Sequence, residues 1–140
     1  MAGAETGETA RAAYQRRRLV PFRLVGAADA QIGKILEESE AEWGFEAAIR
    51  YGRLILAAMT AIGESPDLPG SRSIPRVREV RTFHLQGARR LVAPEHRVGT
   101  PRHLVLYRVA SDGGVEVLGL AHDRQMLARA ARHARREAGG

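Results

Sequence analysis

Cysteine is missing from this chain, and lysine nearly so: of 22 basic residues only Lys34 is not arginine. Without cysteine there is no disulfide framework and no thiolate metal site, which fits a reducing cytoplasm, the expected location. No run approaches the roughly 18 apolar residues of a membrane span, so no membrane partner is expected. After Arg11 and Arg16-Arg17-Arg18 comes only Leu19-Val20-Pro21-Phe22, too short for a signal-peptide core. The chain also lacks a Walker loop, a Gly-x-Gly-x-x-Gly turn and a Gly-x-Ser-x-Gly elbow. The five histidines (His84, His96, His103, His122, His133) are scattered, with no His-x-x-x-His spacing. Neither a metal nor a cofactor is expected. The acids fall mainly on two helices, on faces that read as solvated, which argues against a paired-carboxylate hydrolase.

What is present is arginine, unevenly placed. The chain has 140 residues, is 44% hydrophobic and carries a net charge of +6. That suits one domain with a real core. Residues 28–64 hold Asp29, Glu37, Glu38, Glu40, Glu42, Glu46 and Glu64 against Lys34, Arg50 and Arg53, a balance of −4. Residues 71–108 hold nine arginines against Glu79 and Glu95, a balance of +7. Arginine richness alone can reflect genome composition; its concentration suggests a face that meets an anion, either nucleic acid or an acidic protein segment.

Residues 1–20 read as a poorly ordered arm, and residues 21–137 as one domain. Phe22-Arg23-Leu24-Val25 is a short strand. Asp29 opens a helix, as its cap or as an acid at its positive end. Ile32, Ile35, Leu36, Ser39 and Trp43 form that helix's stripe, and Gly44 breaks it. A second helix runs from about Phe45 to Gly63, with Phe45, Ala48, Ile49, Gly52, Leu56, Met59 and Ile62 as its stripe. Residues 65–71 are a loop. Strands follow at about Val77–Leu85, His103–Val109 and Val115–Ala121, the last two joined by the turn Ser111-Asp112-Gly113-Gly114. Asp123 is expected to cap a final helix to about Arg136. The fold expected is α+β, ordered β-α-α-β-β-β-α, with a small antiparallel sheet packed against a helical hairpin plus a C-terminal helix.

The polar residues on these apolar strands need a reason. Cleaving RNA without a metal requires deprotonating a 2′-hydroxyl, protonating the leaving oxygen and stabilising charge on phosphate. Arginine serves the last need; tyrosine or histidine serves the others. Each residue also has a plain structural reading. Tyr107 on an apolar strand is more often core, His122 beside Asp123 can belong to a cap, and Arg102 and Arg108 can simply be solvated or paired.

The order of short words along residues 22–133 resembles the RelE/ParE superfamily, the toxins of bacterial type II toxin–antitoxin modules. The words are Phe22-Arg23-Leu24, Ala28 with Ile32 and Ile35, and Trp43-Gly44 followed by Ala47, Ala48 and Tyr51. They continue through Ser65-Pro66-Asp67-Leu68-Pro69-Gly70-Ser71-Arg72, Val80-Arg81, Pro101-Arg102-His103 and Tyr107-Arg108. Val115-Glu116-Val117-Leu118 and Leu120-Ala121-His122-Asp123 close the series. The resemblance implies a cognate acidic antitoxin as partner, with operator DNA reached only through that antitoxin. It implies one of two targets. A RelE-like member would be a ribosome-dependent mRNA endonuclease, and Arg81, Tyr107, Arg108 and His122 would be catalytic. A ParE-like member would inhibit DNA gyrase and would not be an enzyme. The Trp43-Gly44 hairpin, the Gly70-Ser71-Arg72 loop and Pro101-Arg102-His103 look more like the ParE side. Arg72, Arg76, Arg78, Arg102, Arg129, Arg132 and Arg136 would then bind target or antitoxin. A third possibility keeps the fold but not the toxicity: a module that only binds an antitoxin or nucleic acid.

Overall fold

The computed structural model of the chain describes residues 21–139. The expected N-terminal arm, with its arginine triplet, lies outside the described residues. Strand β1 (Phe22–Leu24) leads into helices α1 (Ala28–Trp43) and α2 (Phe45–Glu64). Strands β2 (Arg72–Ile74) and β3 (Val77–His84) follow, then two 3-10 segments (Leu85–Leu91 and Pro94–His96). The hairpin β4 (His103–Val109) and β5 (Val115–His122) precedes helix α3 (Leu127–Glu137). The mixed α+β class is as expected, with one more strand than the sequence suggested.

The five strands lie in the order β1-β5-β4-β3-β2. The sheet is not wholly antiparallel, as had been expected: β1 runs parallel to β5, pairing Phe22 with Val115 and Leu24 with Val117. Connection length explains this. Tight turns make antiparallel neighbours, but the chain leaving β1 crosses the sheet through two helices before its next strand. β1 therefore takes the open edge of β5. The added β2 pairs with β3 within the segment that had read as loop and approach to a strand.

Two bulges decide which side chains face which layer. Pairing passes from Ser73 opposite Arg81 to Ile74 opposite Val77, and Glu79 takes a left-handed φ of 67°. Val77 and Val80, three apart, consequently share one face. On β5, pairing steps from Gly119 to Val117 and leaves Leu118 unpaired. Leu118 and Leu120 consequently face opposite sides. Strict alternation would have put both on one side.

One core lies under the helical hairpin and holds Leu54, Ile55, Ile62, Phe83, Val105, Tyr107 and Val117. Each such buried side chain stabilises by about 1.5–3 kcal/mol relative to exposure. The other, under α3, holds Val80, Leu106, Leu118, Ala131 and Ala134. Gly44 separates the first two helices at φ 100°, a conformation that favours glycine. At Gly63 the reason is space: a Cβ would sit 2.6 Å from the Pro21 carbonyl oxygen. The second helix's buried face is Ala48, Leu54, Ile55, Ala58, Met59 and Ile62. Trp43, Phe45, Ile49 and Leu56, expected on core stripes, are exposed instead. The first two flank the turn between the two helices.

Candidate functional site

The four residues nominated for RNA cleavage do not form one constellation. Arg81 and Tyr107 are neighbours across β3 and β4. Both fasten the loop of residues 65–71 to the sheet. The fully buried Tyr107 donates its hydroxyl proton to the Pro66 carbonyl. Arg81 Nη2 donates to Ser71 Oγ at 2.8 Å. Arg108 Nε lies 2.8 Å from Glu116 Oε1, and Glu116 Oε2 lies 3.0 Å from Arg23 Nη2. Those guanidinium bonds hold the Glu116 carboxyl below its ordinary range, Arg108 contributing most. His122 stands at the far end of β5, opposite His103. His103 and Arg108 stand five residue steps apart on β4, about 16 Å of strand.

A different set of polar residues meets at that end of the sheet. Tyr51, on α2, reaches His103 on β4, and the rings meet edge to face with centroids 5.6 Å apart. His103 meets His122 in the same way at 5.3 Å. Asp123, just beyond β5, receives Arg102 Nη2 at 3.0 Å and His84 Nε2 at 3.2 Å. The expected capping role of Asp123 is therefore replaced: α3 starts at Leu127 with Met126 before it and no side-chain cap. Asp29 likewise makes no cap bond, and acts as an acid in the first turn of α1.

Of these residues, Tyr51, Arg102, His103 and His122 line an open cleft of about 770 Å³ between the helical hairpin and the segment of residues 97–103. Glu38, Glu42 and Trp43 stand on its α1 side; Arg97 and Arg102 stand on the other. Trp43 is 71% exposed. Burial pushes the His103 imidazole down, helped by charge on His122, so the neutral ring is favoured. Burial also pushes the Tyr51 phenol up. The Asp123 carboxyl is held low, chiefly by the His84 hydrogen bond.

Hydrogen-bond partners indicate which ring nitrogens accept, although His122 Nδ1 also lies 3.5 Å from Asp123 Oδ1. Backbone N–H groups of Gln86 and Arg124 donate to Nδ1 of His84 and His122, at 3.0 and 3.1 Å. The Arg102 amide donates to the Tyr51 oxygen at 3.1 Å, which directs the phenolic proton to Nδ1 of His103 at 2.6 Å. A ring whose Nδ1 accepts carries its proton on Nε2. His84 gives that proton to Asp123. His103 and His122 give theirs to no other described residue, and both rings line the cleft.

The nominated binding arginines divide. Helix α3 lies against the β2–β3 turn: Arg132 Nη2 reaches the Arg76 carbonyl at 3.4 Å, and Arg135 Nη1 the Arg78 carbonyl at 2.9 Å. Arg76, Arg78, Arg129, Arg132 and Arg136 are exposed on these two elements, and Arg72 is exposed on β2 nearby. Arg102 is elsewhere, in the cleft. Among the described residues there is no group of three or more side chains placed to hold a metal ion, and no helix long and apolar enough to cross a membrane.

Sequence reasoning missed Tyr51, His84 and Asp123 as a group with His103. They come from three separate stretches, and only the β3–β4–β5 register and the hairpin's lie on the sheet assemble them. The one signal available was Pro101-Arg102-His103 paired with His122-Asp123. Comparison with protein-family models gives no match to this chain, and comparison with curated proteins gives none either.

Proposed function

We propose that this chain is the toxin of a type II toxin–antitoxin module, a ParE-like member of the RelE/ParE superfamily that arrests growth by inhibiting DNA gyrase. The superfamily assignment rests on the ordered words of residues 22–133. Its support in the fold is that those words coincide with structural joints. Trp43-Gly44 is the hairpin turn, Tyr107-Arg108 lies on the central strand β4, and His122-Asp123 ends β5.

The observation that carries the choice of target is Tyr107. Its hydroxyl is buried and committed to the Pro66 carbonyl, so it is not placed to exchange protons with a substrate. Arg108 is committed to Glu116, and His122 is remote from both. That favours binding to a protein target over mRNA cleavage. The exposed arginines on α3 and the β2–β3 turn suit an acidic antitoxin segment that folds as it binds.

Adding the purified chain to gyrase is expected to reduce supercoiling, and adding the acidic antitoxin to restore it. Unchanged supercoiling at micromolar protein would remove gyrase as the target. Discrete cuts in cellular mRNA, lost in Tyr107→Phe at unchanged stability, would establish the RelE-like endonuclease instead.

A further inference from the structure

The cleft beside Trp43 offers donors on one side and acceptors on the other. Its floor carries His103, His122 and Arg102, whose Nη2 also reaches Asp123 at 3.0 Å, and Arg97 stands close by with its Nε on the Arg89 and Val92 carbonyls. The Nδ1 atoms, which could have accepted, are already occupied by donors. This set matches an oxyanion. On the α1 side Glu38 supplies acceptors, and Trp43 supplies a broad exposed aromatic face. A ligand matching all three features has an anionic group, a flat ring and amino donors on that ring. The cleft volume, about 770 Å³, lies within the usual range for small-molecule sites.

We infer that this cleft is a mononucleotide site, with phosphate on the His103–His122–Arg102 floor and an amino-bearing base stacked on Trp43 beside Glu38. Glu38 and Glu42 are the carboxylates at the cleft, and both stand on its α1 side. The site is for binding. It is separate from the gyrase proposal, and neither depends on the other.

Trp43 is the only tryptophan in the chain, so its fluorescence reports occupancy directly. Titrating AMP into the full-length protein is expected to quench Trp43 saturably, with matching heat in calorimetry at one site per chain. Inorganic phosphate lacks the ring, and UMP lacks the amino group; each is expected to bind at least about five-fold more weakly. Trp43→Ala, followed by calorimetry, is expected to weaken AMP about ten-fold through lost stacking. Arg102→Gln is expected to weaken it about ten-fold through the lost charge. Both side chains are exposed enough for the variants to fold, which circular dichroism would check. No saturable binding of AMP, CMP or GMP overturns the inference, as does undiminished AMP affinity in both variants. Binding of an oligonucleotide without any mononucleotide binding also overturns it, making the cleft part of a polymer track. So does binding of a Glu-rich peptide that AMP fails to displace.

Discussion

The centre of the sheet and its β4–β5 end carry the same kinds of residue in opposite conditions. At the centre, Tyr107 gives its hydroxyl to Pro66 and Arg81 gives Nη2 to Ser71, which closes a loop over the core and leaves the buried Arg81 Nε without a partner among the described residues. At the end, Tyr51 bonds to His103 and to the Arg102 amide, His122 accepts from the Arg124 amide, and both histidines line an open cleft. A tyrosine and an arginine on a strand therefore say little by themselves about function. What distinguishes the two regions is whether the polar residues are buried under a loop or line an open cleft.

The largest expected effect tests the structural character of the centre. Tyr107→Ala removes a fully buried aromatic ring and is expected to cost about 3–5 kcal/mol in denaturant unfolding. Tyr107→Phe keeps the ring and should cost only about 1–2 kcal/mol, through the unpaired Pro66 carbonyl. On the proposed toxin function, growth inhibition should survive Tyr107→Phe. If it vanished while stability was preserved, the centre would be a working surface and the contrast between the regions would collapse. At the sheet end, Tyr51→Phe strips one hydroxyl from both His103 and the Arg102 amide. That should cost about 1–2 kcal/mol, and it frees Nδ1 of His103 to accept, which a change in imidazole tautomer by NMR would register.

The same contrast explains what the sequence could and could not disclose. Helix ends at Gly44 and near Gly63, and the β4–β5 hairpin, were legible because local chemistry sets them. The parallel place of β1 was not, because it depends on where two intervening helices lead the chain. Strict alternation failed at Glu79 and Leu118, where bulges reset parity. Trp43 shows the limit of a helical stripe. Its spacing with Ile32 and Leu36 is correct, yet it falls on the last residue of its helix and the indole stays exposed. The polar cluster around Asp123 was invisible for a related reason: tertiary register, rather than spacing along the chain, brings His84 to it.

A smaller effect separates the regions by pH. His103 is held below its ordinary value near 6.5. The folded state therefore binds fewer protons there than the unfolded chain does. Its stability is whole above about pH 6.5 and falls as pH drops toward the folded value. The carboxylates of Asp123 and Glu116 are also held low, so their contribution is present above about pH 4 and is lost only as pH falls through their depressed values. Two steps are expected on acidification. His103→Gln should abolish the upper one and leave the lower. If the upper step persisted in that variant, another histidine would be responsible and the account of the cleft floor would need revision.

The smallest expected effect concerns Arg108, which was nominated with the central pair but belongs to neither region. Its ion pair with Glu116, shared with Arg23, lies across the strand surface. Both partners are 18% exposed, so water screens the pair only partly. A double-mutant cycle with Arg108→Ala and Glu116→Gln should give a coupling of about 1 kcal/mol, weakening as salt is raised. Removing Glu116 alone frees the Arg108 guanidinium on the surface. If the chain is the proposed toxin and Glu116→Gln raises its growth inhibition while Arg108→Ala lowers it, at nearly unchanged stability, the pair would be masking a binding arginine. Equal and small effects of both changes would place Arg108 with Tyr107, as a residue whose polar atoms hold the sheet together.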